Sequence, residues 1–436
     1  TIRLLLILAL IHNWHMKQVD FVLAYPQADM ECEMYMEIPR GFTLSKGAKA
    51  KDYCLKLKKN LYGQKQADRV WNKHLHKGLL QIGYKQSKID ECLYYRNKTV
   101  FLVYVDDGLL IGPDDKDIAN TIQQLKDLNY DLTDEGDLKD YLGVDVDCRQ
   151  DGSIHLTQPK LVEQILDDLN FKEGTKPVKL PSLISKTLQC SKEESEHKAS
   201  WNYCSVIGKL NYLEKSTRPE LAYAVHMAAR FSADPRESHT NAVHRIGHYL
   251  IGTRDKGIIL QPKNESFKVY ADADFAGLWN KDTAADDPTT AKSRTGFVVL
   301  YAGCPLIWMS KLQTEIALST TEAEYASLSE SLRHVIPLMN LMQECHHMGI
   351  LNKASTPEVH CKAFEDNSGA LELARAPKMR PRTKHINIKY HHFHQYVTQG
   401  LISILQVDTE EQLADLFTKP VTEVLFLKFR KAIMGW

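Results

Sequence analysis

The sequence has no excess of charge of either sign: 55 Lys and Arg stand against 55 Asp and Glu in 436 residues. That argues against a surface that attracts polyanions everywhere, so any contact with nucleic acid must come from local basic patches. Long apolar runs are also missing. The opening TIRLLLILALI is apolar for only about ten residues, short of the roughly 18–20 that span a bilayer. No small-residue cleavage site follows it, which argues against a signal peptide. We read it as a core helix, expect no membrane association, and take the lack of an initiator Met as the mark of a fragment of a longer chain. The nine cysteines include no C-x-x-C pair, which suits reduced thiols and supports neither a disulfide nor a zinc framework. Cys345-His346-His347 and His360-Cys361 imitate metal ligands, but their unrelated spacing favours core and surface roles. There is no internal repeat and no low-complexity tract.

What is present is ordinary globular material, 43% hydrophobic and 25% charged, long enough for about two to four domains. The fold class is α/β of the mixed α+β kind. Residues 1–175 mix helices and strands, closing with a hairpin and a helix in LKDYLGVDVDCRQDGSIHLTQPKLVEQIL. The polar stretch GTKPVKLPSLISKTLQCSKEESEHKAS reads as a linker. Residues 201–255 carry apolar positions at three- and four-residue intervals and read as helices. From about 264, SFKVYADADFAG, RTGFVVLYAG and CPLIWMSK are consecutive strand candidates. A helical run follows at 320–348, then a strand (357–365), helices (368–375 and 383–398), a strand (401–407) and a last helix (409–418).

Within the first unit, FLVYVDDGLLIG sets Asp106 and Asp107 between two apolar runs, with Asp-Asp-Gly as the expected turn of a buried hairpin. Two carboxylates crowded into a partly desolvated place repel unless a cation lies between them. An acidic turn and a metal site both fit this pattern; the metal site needs a further carboxylate. Asp20, at the end of a short strand in QVDFVLAY, is the candidate, and the set would suit two-metal phosphoryl transfer.

These residues resemble the reverse transcriptase of copia-type retrotransposons, carried by QVDFVLAYPQADMECEMYMEIPRGF, LYGQKQADRVWNKHL, YVDDGLLIG and LKDYLGVDV in the family's order and spacing. The resemblance implies that Asp20, Asp106 and Asp107 are the polymerase triad, holding metal with help from the Phe21 carbonyl. It implies that Tyr25 rejects the ribose 2′-hydroxyl, that Lys65, Gln66 and Arg69 lie in a segment touching template and dNTP, and that YLGVDV is the primer grip. The chain departs from the family at 25–28, YPQA in place of FLNG, and at Asp68, where the family has Pro and where a negative charge would face template or triphosphate. From the resemblance we expect the family's fingers to be truncated at the start of this sequence, leaving only a partial fingers region.

A second carboxylate set lies downstream. Asp272 sits on the candidate strand VYADADFAG and Glu324 in the first turns of the helix after LST, where Ser319 and Glu322 fit a capping box. Asp366 ends another strand, and Asp415 lies on the last helix. Their order, strand–helix–strand–helix, suits a two-metal hydrolysis of phosphodiesters. Asp274, Glu322 and Asp408 are better read as caps or solvated residues. DADFAG, STTEAEY, DNSGA, RTKHI and ADLFTK resemble the copia-type RNase H, which implies that Asp272, Glu324, Asp366 and Asp415 bind Mg2+, with Asp415 the least fixed in position.

Two basic tracts fit backbone contacts to a duplex: residues 51–73, with seven Lys/Arg against two Asp, and Leu373–Val407, which has no acid. The second includes Arg375, Lys378, Arg380, Arg382, Lys384 and Lys389, with Lys384 and His385 as nucleic-acid-binding candidates. Taken together, the resemblance implies a reverse transcriptase palm (1–175), a linker with thumb and connection helices (176–263) and an RNase H-like α/β domain (264–436). Two Mg2+ per site, with Mn2+ as a substitute, would serve RNA template, DNA primer, RNA–DNA hybrid and dNTPs. Other Gag and Pol products of the element are further partners, in a cytoplasmic virus-like particle with entry to the nucleus. The rival expectation is a truncated or domesticated element that keeps nucleic-acid binding and only the RNase H activity.

Overall fold

A computed structural model describes residues 1–44, 49–172, 174–183, 188–189, 194–281, 284–285, 287–351, 359–375 and 391–436. Lys384, His385 and most of the basic residues of the second tract lie outside the described residues, as does the first half of the helix expected at 383–398. Among the described residues no helix is long and apolar enough to cross a membrane, and the described cysteines are free.

The first unit is built on an antiparallel six-stranded sheet. Its strands are β1 (His15–Phe21), β4 (Lys85–Gln86), β5 (Leu93–Arg96), β6 (Thr99–Tyr104), β7 (Asp107–Gly112) and β8 (Leu132–Asp137), in the order β4-β5-β6-β7-β1-β8. A small two-stranded sheet, β2 (Tyr35–Glu37) with β3 (Cys54–Lys56), stands beside it. In β6 and β7 the period of two sends both alternations into apolar surroundings. Phe101, Val103 and Leu110 pack under α3 (Ala67–Gln81) and α4 (Asp115–Asp127), while Val100, Leu102, Leu109 and Ile111 join a second core. That is why the two strands read as continuous apolar runs.

The second face is covered by α1 (Ile2–His12), whose Leu4–Ala9 are buried on every side, as expected for a core helix. Arg3 on this helix donates to the carbonyls of Leu306, Lys215 and Ser216 and lies 4.3 Å over the Trp308 ring. A polar end of an apolar helix is thereby satisfied deep inside the molecule.

A four-stranded sheet follows: β9 (Asp140–Tyr141), β10 (Val144–Cys148), β11 (Ile154–Thr157) and β12 (Ile258–Leu260), in the order β12-β11-β10-β9, with α5 (Pro159–Asp168). The helices expected over 201–255 are α6 (Tyr203–Ser216), α7 (Ala222–Ala229) and α8 (Glu237–Ile251), with a 3-10 turn at Pro219–Leu221. Tyr212 on α6 donates to the carbonyl of Leu142, which ties the helices to the turn of the YLGVDV hairpin.

The C-terminal unit contains the three expected strands, β13 (Phe267–Asp274), β14 (Arg294–Tyr301) and β15 (Cys304–Leu312), then α9 (Thr320–His347), β16 (Cys361–Glu365), α10 (Ser368–Arg375), α11 (His394–Thr398) and β17 (Ile402–Gln406). Its five-stranded sheet runs β15-β14-β13-β16-β17, antiparallel among β13, β14 and β15 and parallel across β13–β16–β17. With α9 packed on β13 and β14, this is the mixed sheet of an RNase H fold.

Two expectations are corrected. The single helix at 409–418 is a 3-10 turn (Thr409–Glu411) and a one-turn α12 (Asp415–Thr418), because Gln412 between them takes an extended conformation. Its amide donates to Ala271 O (2.9 Å) on β13 and accepts from Ala414 N, so the break pulls this segment onto the sheet. A further helix, α13 (Glu423–Met434), was missed, although Phe426, Phe429 and Ile433 repeat at its buried face.

The two units meet at the end of α9. The Glu344 carboxylate accepts from Ser87 Oγ, Lys88 N (2.8 Å) and Tyr95 OH (3.1 Å) of the palm sheet. Glu344→Ala leaves these donors without an acceptor and should cost about 1–3 kcal/mol in chemical denaturation. Glu344→Gln keeps an acceptor oxygen and should cost less; equal losses would mean the contact contributes by packing alone.

Candidate active sites

In the palm sheet, β1 lies between β7 and β8, and register sets Asp20 directly opposite Asp107. Opposed residues of an antiparallel pair share a face, so the two carboxylates are cross-strand neighbours. Asp106 joins them from the hairpin tip, where its carbonyl accepts from Phe21 N at 2.8 Å. The turn is not Asp-Asp-Gly as expected. Tyr104 pairs with Asp107, leaving Val105–Asp106 as the loop, with Val105 at φ 57°.

A β-branched residue in the left-handed region is strained. Its carbonyl is held by the indole N–H of Trp71 at 2.7 Å, so a side chain on α3 fixes the hairpin tip. Gly108 lies within β7, where any Cβ would come within 2.6 Å of Val19 and 2.7 Å of Phe101. It serves close packing rather than the turn. Burial, and then the neighbouring carboxylates, raises the pKa of Asp20 and of Asp107.

Tyr25 lies on the short α2 (Ala24–Gln27), its ring 4.5 Å from that of Tyr62, whose hydroxyl is beside Asp106. Lys65 is exposed, Gln66 Nε2 points at Met34 Sδ, and Arg69 is ion-paired with Glu31 at 2.6 Å. Much of the 51–73 basic tract is likewise engaged: Lys56 with Glu33, Lys59 with Asp29, and Lys73 with Glu31. These exposed pairs are weak and open to exchange with phosphate. Asp68 falls in the first turn of α3, where a negative charge favours the helix.

The second set is far more enclosed. Asp272, Glu324 and Asp366 each place a carboxylate oxygen within 4.8 Å of the others, and among the described residues this is the one such group. The palm triad is not gathered to that degree. Ser319 caps α9 by accepting from Glu322 N at 3.1 Å, and Glu322 reaches back to Leu318 N, which sets Glu324 one turn in. Asp272 is 3% exposed and opposite Gly296 on β14. Because Gly296 has no side chain, α12 packs against β14, and Thr418 Oγ1 donates to Asp272 Oδ2. Asp415 on α12 is 3% exposed and bonded to Lys419 Nζ at 2.9 Å. All four expected carboxylates therefore converge on the C-terminal end of β13.

Sequence reasoning missed two groups. Glu365 is fully buried beside Asp366, with Oε1 accepting from Asn367 N and Oε2 without a partner. Lys419, quoted only as part of ADLFTK, reaches into the acids. Burial first, then mutual repulsion, raises the pKa of Glu324 well above normal. Burial also raises Glu365 and Asp272, the latter against the pull of Lys419. Asp415 rises to about 7, chiefly by burial. Glu324 Oε2 is buried without a partner. Unpartnered buried oxygens in a set of crowded acids are what a divalent cation satisfies.

A palm sheet with facing aspartates, joined to an RNase H-type sheet with buried acids, is the architecture of a reverse transcriptase with its RNase H. Residues 1–183 match the family described as reverse transcriptase (RNA-dependent DNA polymerase). The retrovirus-related Pol polyprotein from transposon TNT 1-94 of Nicotiana tabacum is 34% identical over 97% of this chain and 31% of its own length. That from transposon RE2 of Arabidopsis thaliana is 33% identical over 99% of this chain and 28% of its own. A putative transposon Ty5-1 protein of Saccharomyces cerevisiae is 28% identical over 73% of this chain and all of its own. Among solved structures, LC11-RNase H1 in complex with RNA/DNA hybrid is 14% identical over 35% of this chain and 93% of its own, with a TM-score of 0.23. Over nearly its whole length the chain is similar to copia-type retrotransposon Pol polyproteins, and it spans about a third of the length of the first two relatives.

Gly296→Ala should push α12 away from β14, since the new Cβ would lie 2.5 Å from Thr418 Cγ2 and 2.9 Å from Phe417 Cβ. We expect about 1–3 kcal/mol lost from stability and a strong fall in any nuclease activity, with the palm sheet unaffected; unchanged nuclease activity would contradict the role given to this contact.

The raised acids also set a pH dependence. Asp415 holds its proton to about 7 when folded but to 3.8 when free, so the folded state binds more protons between those values. Metal-free stability should fall as pH rises through that window. In chelator, melting should therefore drop from about pH 4 to about pH 7 with a slope that lessens in Asp415→Asn; equal slopes would refute the shift.

Proposed function

We propose that the chain is a reverse transcriptase–ribonuclease H that synthesises DNA on an RNA or DNA template at the palm and hydrolyses the RNA of RNA–DNA hybrids at the C-terminal unit. The observation that carries it is the trio of buried Asp272 and Glu324 with half-buried Asp366, gathered within 4.8 Å at the end of the central strand. These residues fit a divalent metal, with Mg2+ as the ion we favour and Mn2+ as a substitute. Bound there, such an ion supplies activation of a water and neutralises charge on the phosphate.

The chain does the rest. Asp272, held by Thr418, and Glu324, Asp366 and Asp415 fix where an ion and the scissile phosphate meet. In the palm, Asp20 and Asp106, with Asp107 and the Phe21 carbonyl, hold the corresponding ions. Tyr25, backed by Tyr62, stands as the steric filter that selects dNTPs. Lys65, Gln66 and Arg69 take template and triphosphate once the Arg69–Glu31 pair opens, and Lys384 and His385 take the hybrid backbone. The division 1–175, 176–263 and 264–436 and a place in a cytoplasmic particle with nuclear entry belong to the same reading. A second reading, nuclease activity and nucleic-acid binding without polymerisation, is favoured by one observation: of the two acid sets, only the nuclease trio is gathered among the described residues.

The full chain separates the two. With Mg2+, Asp366→Asn should abolish cleavage of an RNA–DNA hybrid and spare primer extension, because an amide neither neutralises nor holds the ion. Asp106→Asn should do the reverse. Cleavage by Asp366→Asn at the wild-type rate would remove the nuclease assignment; absence of wild-type extension alongside cleavage would favour the second reading.

A further inference from the structure

We propose that Lys419 is a displaceable counter-ion of the nuclease carboxylates, holding the place of a divalent cation in the metal-free protein and withdrawing when one binds. The inference rests on the nuclease reading above. Lys419 Nζ lies 2.9 Å from Asp415 Oδ1, and the two side chains differ sharply in exposure, 41% against 4%. The carboxylate is fixed inside; the ammonium arrives from the solvent side and has a way back.

Its reach extends beyond Asp415. Burial works against its charge, but Asp272, Asp415 and Asp366 together outweigh that and keep the ammonium protonated. Three of the four expected metal ligands therefore act on this one cation. The chain around it is built for a free side chain on a fixed backbone. Lys419 leaves α12 extended, at φ −144° and ψ 157°, with its N–H still bonded to Asp415 O at 3.2 Å. Pro420 follows and limits the backbone further.

Charge decides the competition. Asp272, Glu324, Glu365 and Asp415 are buried and Asp366 half-buried, so a single ammonium leaves most of the acids uncompensated. Buried oxygens of Glu324 and Glu365 are still without partners. A divalent ion brings twice the charge and accepts several oxygens at once, which a lysine cannot do. Exchange of the ammonium for the ion leaves the buried Asp415 carboxylate compensated throughout, so the pair gives way without a bare buried charge. Binding of the ion therefore pulls Asp415 from the ammonium, and Lys419 turns outward to face a phosphate or water.

The test uses the full chain carrying Asp106→Asn, which weakens the palm site, and reads bound Mn2+ by electron paramagnetic resonance together with thermal melting. Lys419→Met keeps the stem and removes the charge. We expect it to bind Mn2+ about five-fold more tightly, to melt earlier than the parent in chelator, and to match the parent at saturating Mn2+. Lys419→Arg should bind Mn2+ like the parent. Unchanged or weaker Mn2+ binding by Lys419→Met, or a melting deficit that persists at saturating Mn2+, would overturn the proposal and leave Lys419 as a structural ion-pair partner. Asp272→Asn in the same background keeps the two questions apart: if it leaves Mn2+ binding intact, the metal site itself fails, whatever Lys419 does.

Discussion

The structure depends on a repulsion. Five carboxyl groups, Asp272, Glu324, Glu365, Asp366 and Asp415, are brought to one end of the strand Phe267–Asp274, most of them out of reach of water. Taking charge out of water is costly, and like charges make it costlier. The fold meets that cost by protonation, by the hydroxyl of Thr418 and by the ammonium of Lys419. None of these fully satisfies the site. The rest of the C-terminal unit serves to hold the acids there regardless: Gly296 opens room for the segment carrying Asp415, and Gln412 breaks a helix to pin that segment to Ala271.

The palm handles the same problem more gently. Asp20, Asp106 and Asp107 are half-buried, and their positions come from sheet register and a two-residue turn. Strain at Val105 is stored at the tip and held by the Trp71 indole, so precision comes from the backbone. One site fixes its acids by burial, the other by register. The long helix Thr320–His347 links them physically, with Glu324 near one end in the nuclease set and Glu344 near the other on the palm.

Much of this was legible in the residues. The alternation in VYADADFAG, the capping pair Ser319 and Glu322, and the strand end before Asp366 pointed to the acids that converge. The apolar opening segment was readable as buried because it has no polar face. Other features were hidden for physical reasons. Asp-Asp-Gly looks like a turn because Gly tolerates one, whereas Val at positive φ is disfavoured and stands only through a contact with a distant helix. Glu365 is concealed by its neighbour: the strand period buries positions 361, 363 and 365, while 366 escapes the strand, and the sequence shows only Glu-Asp. The break at Gln412 depends on a hydrogen bond across more than a hundred residues, which no local pattern records.

The central claim is that the crowded acids are a metal site, and anomalous diffraction from crystals of the full chain grown with Mn2+ tests it most directly. The account predicts density for Mn2+ bounded by Asp272, Glu324 and Asp366, with Lys419 drawn away from Asp415. Crystals with Mn2+ bound elsewhere, and with these acids still bonded to one another and to Lys419, would contradict it.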